Sequence, residues 1–318
     1  MVRLGFRQRA IVLEWSRMPG CATYAALSDT LITTRHAVGG LNFYDHNYSR
    51  GHIMAVVDYA VDGHIATVTL NRPEARNAVS PEVAVRLRDA WQAVRDDDNV
   101  RVAILTGRGM VFCAGADLGQ LIPLVSGNRD PENEYDEQVL AQPDIVEYAF
   151  LRSFDAVKPV IAALNGHAIA GGMEMVQGTD LRVSVPAAKL GVQEVKWAIF
   201  PAGGSTVRLP HQLPHAKAME LLLTGDLITA DEALGYGFLN YVTDDPMAKA
   251  RELADKIAGN GPIAVQAIRK SARACLGMEE LEALKLETEI SAPVFKTEDA
   301  EEGPRAFMEK RQPVYKGR

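Results

Sequence analysis

Long apolar runs are missing from this chain. No stretch of its 318 residues reaches the roughly 18 consecutive apolar side chains that a bilayer span requires, so no membrane partner is expected. Cysteine is scarce. Cys21, Cys113 and Cys275 form an odd set at wide spacing without a C-x-x-C pair, which indicates neither a disulfide framework nor a zinc site. A reducing compartment, the cytoplasm, fits that usage. A basic excess is also absent: 34 Lys and Arg stand against 41 Asp and Glu, a net charge of -7. Nonspecific nucleic-acid affinity comes from clustered cations, so nucleic acid is not an expected partner. Nucleotide and nucleophile motifs fail in turn. Gly107-Arg108-Gly109 opens like a dinucleotide fingerprint, but Phe112 occupies the third glycine position, and no G-x-x-x-x-G-K-[ST] occurs. Gly203-Gly204-Ser205 lacks the glycine two residues after the serine that a nucleophile elbow needs.

What is present is 47% apolar residues, ample for a packed core in one large domain or two small ones. Residues 1–53 differ from the rest, with six arginines, no lysine and no sustained apolar period. Their composition favours an upstream extension ahead of a start at Met54 over a loosely docked arm, and either over an arginine-rich organellar presequence. From Met54 the pattern becomes regular. Residues 64–70 are rich in β-branched side chains and end in Asn71-Arg72-Pro73, which predicts a strand and then a loop. Ser80-Pro81-Glu82 supplies an N-cap, a first-turn proline and an acid. Val83, Leu87, Ala90, Trp91 and Val94 then recur at helical spacing. The apolar runs at 102–106 and 159–164 predict strands covered on both faces, and 181–185 another. Helices are predicted at about 215–224, 230–236, 246–259, 262–276 and 278–289, so mixed α/β gives way to mostly helical sequence near residue 210.

Two stretches carry the chemistry. Val111-Phe112-Cys113-Ala114-Gly115-Ala116-Asp117-Leu118 and Asn165-Gly166-His167-Ala168-Ile169-Ala170-Gly171-Gly172-Met173-Glu174 each put a small-residue turn behind an apolar strand. The second delivers a carboxylate three residues past its turn. Bare backbone amides from two loops can converge on one oxygen, the construction of an oxyanion hole. Glycine at 171 leaves room where backbone must approach a ligand closely. Glu174 lies among Met173, Met175 and Val176, a poor place for a solvated charge. Glu194 is 20 residues further on, so the two acids cannot share a helix face and can meet only through tertiary structure. Cys113 reads as a small core residue and His167 as a hydrogen-bonded turn histidine.

From about Met54 to the C-terminus this wording resembles the enoyl-CoA hydratase/isomerase, or crotonase, superfamily. The resemblance implies an α/β spiral of repeated ββα units over 54–245 and a helical trimerisation region over 246–318. It implies an acyl-CoA thioester substrate with no separate cofactor and no metal, and assembly as a homotrimer or a dimer of trimers. Carried onto this chain, the oxyanion donors are the Ala116 and Gly171 amides, and losing one such donor typically costs roughly 3 kcal/mol of barrier. Glu174 and Glu194 align with the two catalytic glutamates of hydratases, the first activating water and the second protonating C2. Gln193 stands where the family often has proline, and Leu190 where it often has an aromatic. Ala75 and Arg76, in Pro73-Glu74-Ala75-Arg76-Asn77, and Ala114, Asp117 and Leu118 resemble the segments that hold CoA, with Arg76 able to reach phosphate. Gly119 replaces a lysine that often follows. The run Phe295 to Arg311 resembles the family tail, in which Phe307 flanks the acyl or pantetheine channel and Lys310 approaches CoA phosphate, usually from the adjacent subunit. Gly203-Gly204-Ser205 resembles the P-G-x-G-G-T loop. Residues 119–150 exceed the short-chain pattern, and their acids Asp130, Glu132, Glu134, Asp136 and Glu137 read as an exposed, mobile cover over a long or bulky acyl group.

The expected activity is therefore reversible hydration of trans-2-enoyl-CoA to 3-hydroxyacyl-CoA. The alternative is an enoyl-CoA isomerase, or another CoA-thioester lyase or hydrolase on the same fold. An isomerase can shuttle its proton with one carboxylate, so the second glutamate favours hydration. An RNA-binding role would need a basic stripe on the first helix, where Arg86, Arg88 and Arg95 are interleaved with Glu82 and Asp89. A silent CoA-binding scaffold would not need the glutamate pair.

Overall fold

The structure, a computed structural model, describes residues 55–318. The extension expected over residues 1–53 lies outside the described residues. Among the described residues, no helix is long and apolar enough to cross a membrane.

Strands β1 (Val57–Asp62) and β2 (Ile65–Leu70) form a hairpin turned at Gly63, whose φ of +59° is readily adopted without a Cβ. Helix α1 (Pro81–Asp96) starts where the sequence predicts, with the Ser80 side chain accepting from the Val83 amide at 3.3 Å. From there the next six strands alternate between two sheets. β3 (Val102–Gly107), β5 (Val160–Leu164), β7 (Leu181–Ser184) and β10 (Tyr241–Val242) extend the hairpin into a six-stranded sheet of order β1-β2-β3-β5-β7-β10. β4 (Val111–Cys113), β6 (His167–Ile169), β8 (Lys189–Gly191) and β9 (Ile228–Thr229) make the second sheet, of four strands. β4, β6 and β8 each follow a first-sheet strand after a short turn, while β9 joins β8 after two intervening α-helices. This produces the spiral implied by the resemblance.

The period-two alternation divides the core. Ala103, Leu105, Ala162 and Leu164 face the main cluster with Trp91 of α1, while Val102, Ile104, Ile161, Ala163 and Val183 face the opposite side. Helix α9 (Pro246–Ala258) closes that second face with Ala250, Ala254 and Ala258, whose small side chains let the helix lie close to the strands.

Between β4 and β5 the chain folds into α2 (Leu121–Val125), α3 (Glu134–Ala141) and α4 (Asp144–Ala149), with α3 and α4 packed on α1. The expectation of an entirely exposed acidic cover fails at Asp136. That residue is 1% exposed and accepts from Arg129 Nη1 at 2.8 Å and from the Glu132 amide at 2.9 Å. An ion pair and a turn amide make its burial tolerable, and charge counting cannot see either. After β6 comes α5 (Gly171–Gln177), and after β8 a 3-10 turn over Glu194–Trp197. Helices α6 (Ser205–Gln212), α7 (His215–Thr224) and α8 (Ala230–Gly235) precede β10. The chain ends in α10 (Pro262–Ala274), α11 (Glu280–Ser291) and α12 (Glu298–Met308).

Trp91 is fully buried in the main cluster. Trp91→Ala is expected to destabilise the fold by about 3–5 kcal/mol, read as a lower denaturation midpoint in urea. A change below about 1 kcal/mol would contradict this packing.

Candidate active site

The first turn is shaped by a one-residue parallel bridge. The Val79 amide donates to the Gly115 carbonyl at 2.8 Å and the Asp117 amide to the Val79 carbonyl at 2.9 Å. Those bonds use the groups on either side of Ala116, so its own amide is turned away from the bridge. Gly115 permits this at φ +97°. Asp117 locks the following turn, accepting from the Gly119 and Gln120 amides at 2.9 and 3.0 Å and from Arg72 Nη1 at 2.5 Å. Burial pushes its carboxyl up, but the Arg72 guanidinium and the two amides outweigh it and hold Asp117 below the usual carboxylate range.

The second turn runs from β6 into α5. Ala170 adopts φ 52° and ψ -127°, a conformation L-residues rarely take, and its amide donates to the Gly191 carbonyl at 2.9 Å. Gly171 then starts α5. The two turns touch. A Cβ on Gly115 would lie 2.9 Å from the Gly171 nitrogen, one on Gly171 would lie 3.4 Å from the Ala116 nitrogen, and one on Gly172 would strike the Cys113 carbonyl oxygen at 2.3 Å. Neither the Ala116 nor the Gly171 amide donates to another group among the described residues. Both residues line one cavity of about 560 Å³, together with Glu174 and Glu194. The rest of its wall is largely apolar, with Leu121, Val139, Val146 and Phe150 from the 119–150 segment and Trp197 and Phe200 opposite.

Glu174, in the first turn of α5, is 4% exposed. Burial raises its pKa, opposed by the Ser205 amide and hydroxyl, which donate to Oε1 at 3.3 and 3.0 Å, and by the Gly203 amide. Glu194 begins the 3-10 turn. Burial first, and then the nearby charge of Glu174, push it up to about 7. Its Oε2 is buried with no hydrogen-bond partner among the described residues. Two carboxyls thus share a cavity on unequal terms: Glu174 accepts from the Ser205 hydroxyl as well as from backbone, whereas backbone amides at 193 and 194 oppose the rise at Glu194 and its Oε2 is left without a partner. Simultaneous ionisation is unfavourable, because the charge of Glu174 raises the pKa of Glu194.

The remaining expected site residues divide by location. Ala114 and Leu118 line the cavity, whereas the Asp117 carboxylate is committed to Arg72 and the turn. Ala75 and Arg76 lie outside the cavity wall, on a segment tied to the first turn by the Ala114 amide donating to the Arg76 carbonyl at 3.1 Å. Phe307 and Lys310, at the end of α12, are exposed and do not line the cavity. His167 Nδ1 accepts from the Lys189 amide at 3.0 Å, and Cys113 is fully buried with its thiol pushed up to about 12 by burial. Gly203 and Ser205, in the segment that resembles the P-G-x-G-G-T loop, are close neighbours of Glu174, a contact the sequence does not signal. A Cβ on Gly203 would lie 2.3 Å from Glu174 Oε2, and the Ser205 contact joins residues 31 apart without any period.

The enoyl-CoA hydratase/isomerase family profile matches residues 61–318. Enoyl-CoA hydratase EchA19 of Mycobacterium tuberculosis is 47% identical over 258 residues, covering 80% of this chain and 94% of that protein. (E)-benzylidenesuccinyl-CoA hydratase of Thauera aromatica is 38% identical over 274 residues, covering 82% and 99%. Among solved structures, an enoyl-CoA hydratase from Mycobacterium tuberculosis H37Rv superposes with a TM-score of 0.75 at 36% identity, covering 83% of this chain and all of that one.

Gly172→Ala should force β4 and α5 apart, because the added methyl meets backbone rather than a flexible side chain. Overpacking of this kind costs about 1–3 kcal/mol or more. Thermal unfolding of the variant is the check, and an unchanged midpoint would show that the two turns are not in contact.

Proposed function

The chain belongs to the enoyl-CoA hydratase/isomerase family, and on that footing we propose that it reversibly hydrates trans-2-enoyl-CoA to 3-hydroxyacyl-CoA. One observation carries the reading: a single cavity is lined at once by two unbonded amides, Ala116 and Gly171, and by two carboxyls, Glu174 and Glu194. With the thioester oxygen against the amides, C2 and C3 of the substrate face the carboxyls. Ionised Glu174 takes a proton from water as its oxygen bonds to C3. The alkene electrons shift towards the thioester oxygen, where the two amides stabilise the enolate. Protonated Glu194 then delivers its proton to C2 as the carbonyl re-forms. The water adds as HO and H, and the proton taken by Glu174 restores the pair's total.

The donor asymmetry supports this division of roles. Hydrogen bonds to the charged form favour ionisation at Glu174, and their absence at Glu194 Oε2 keeps that carboxyl protonated to higher pH. The apolar wall from residues 119–150 supports an acyl group that is long or bulky. The CoA moiety leaves the cavity past Ala114 and Leu118 towards Ala75 and Arg76. Phe307 and Lys310 act on CoA only from an adjacent subunit of a trimer or a dimer of trimers.

Glu174→Gln and Glu194→Gln are each expected to lower hydration by about 10²–10⁴-fold with enoyl-CoA binding retained, measured by loss of the conjugated thioester absorbance. Wild-type turnover in either variant would remove it from the mechanism. A 3-enoyl-CoA substrate converted to 2-enoyl-CoA without hydration would favour isomerisation. For the free enzyme, kcat/KM should rise as Glu174 ionises and fall as pH passes through about 7, where Glu194 loses the proton it must donate. A profile flat from pH 6 to 9 would exclude Glu194 as the acid.

A further inference from the structure

We propose that Ser205, oriented by Gln177, is the positioning residue that keeps Glu174 ionised and so decides which of the two cavity carboxyls holds the proton. The proposal rests on the hydratase reading for its catalytic meaning, though not for its geometry. Ser205 is the first residue of α6 and is fully buried, as is all but 1% of Gln177, three residues after Glu174 on α5. Both donors of Ser205 reach the same carboxylate oxygen, Glu174 Oε1, from the backbone at 3.3 Å and from the hydroxyl at 3.0 Å. Gln177 Nε2 lies 3.0 Å from Ser205 Oγ.

The direction of this relay follows from elementary valence. An ionised carboxylate only accepts, so the single hydroxyl proton of Ser205 must point at Glu174, and Gln177 must then present its amide N–H to the Ser205 oxygen. The consequence is visible at the other end of the amide. Gln177 Oε1 is buried with no partner among the described residues, an unfavourable arrangement that an apolar side chain would avoid. A polar side chain kept there at that expense fixes the hydroxyl rotor, and a fixed rotor keeps its donor on the carboxylate.

Other charges around Glu174 do not supply the same preference. Arg208, further along α6, is the nearby cation, but its guanidinium donates to the Leu151 and Arg152 carbonyls at 2.5 and 2.9 Å and does not bond the carboxylate. Across the cavity Glu194 repels a second negative charge. From β4 the titratable group is the buried, neutral Cys113 thiol. From β6 it is His167, bonded to the Lys189 amide. Ser205 is therefore the side-chain donor that separates the two glutamates.

The experiment is a carboxyl 13C NMR titration of the full-length protein, with Glu174 assigned by its loss in Glu174→Gln, run beside the pH profile of hydration. Ser205→Ala should move the Glu174 titration and the acid limb of kcat/KM together to higher pH, by about one pH unit for a lost charge-assisted hydrogen bond. KM should change less than about threefold. Ser205→Thr, which keeps the hydroxyl, should restore both towards wild type, and Gln177→Leu should shift both in the same direction by less. A fall in kcat or in thermal stability with neither titration displaced would make Ser205 merely structural and overturn the proposal. So would a Ser205→Thr variant that titrates like Ser205→Ala. Should Ser205→Ala fail to fold, the direction of the Gln177→Leu shift decides the same question. If no enoyl-CoA is hydrated at all, the functional reading fails while the NMR titration still judges the role of Ser205.

Discussion

The contact between two glycine-bearing turns is the constraint on which the site depends. Gly115 and Gly172 carry no side chain where β4 and α5 meet, and an added Cβ on either would run into the backbone of the opposing element, while one on Gly171 would strike the Phe150 ring at 2.7 Å. Close-packed backbone is unforgiving, since neither side can rotate a side chain out of the way. That closeness puts Ala116 and Gly171 on the wall of one cavity, with neither amide donating elsewhere among the described residues. The spiral serves this contact. Because consecutive strands alternate between two sheets, the short strands β4 and β6 end side by side although more than fifty residues separate them.

A helix of seven residues is too short to hold its own orientation, and α5 is fixed from its far end. Arg182 of β7 donates to the Val176, Gln177 and Thr179 carbonyls at 3.1, 3.3 and 3.2 Å, and Arg273 of α10 donates to the Gly178 carbonyl at 3.0 Å. These guanidiniums satisfy carbonyls that a helix end leaves open, and they place positive charge where the helix dipole is negative. Arg273 comes from the C-terminal helices, themselves anchored through Arg269 to Asp155 and Asp180 at 2.5 and 2.8 Å. Helix α5 is thereby connected to α10, some ninety residues further along the chain.

Burial pushes both cavity glutamates towards the protonated form. What differentiates them is the local supply of donors, which is generous at Glu174 and absent at one oxygen of Glu194. The same balance operates at half-buried Asp117 and buried Asp136, where arginines at 2.5 and 2.8 Å make the carboxylates tolerable as structural elements. Four acids of one chemical type thus fall into two classes, and the partners within about 3 Å, rather than the residue type, sort them.

Local features were legible in the sequence wherever a short-range rule governs them. The strand over residues 65–70, the Ser80 cap, the helix over 215–224 and the two glycine turns follow from side-chain period, capping chemistry and the small set of residues able to make tight turns. Glu174 was legible as a charge in apolar company. The burial of Asp136, the grip of Ser205 on Glu174, and the unequal environments of Glu174 and Glu194 were not. Asp136 depends on partners four and seven residues away that follow no side-chain period, the others depend on distances between segments further apart in the chain, and a pKa depends on burial and donors that no local pattern encodes. The sequence by itself determined which backbone turns and which acids were available. Only the tertiary structure decided that they share one cavity and which acid receives the hydrogen bonds, because convergence and desolvation are properties of the packed chain in space.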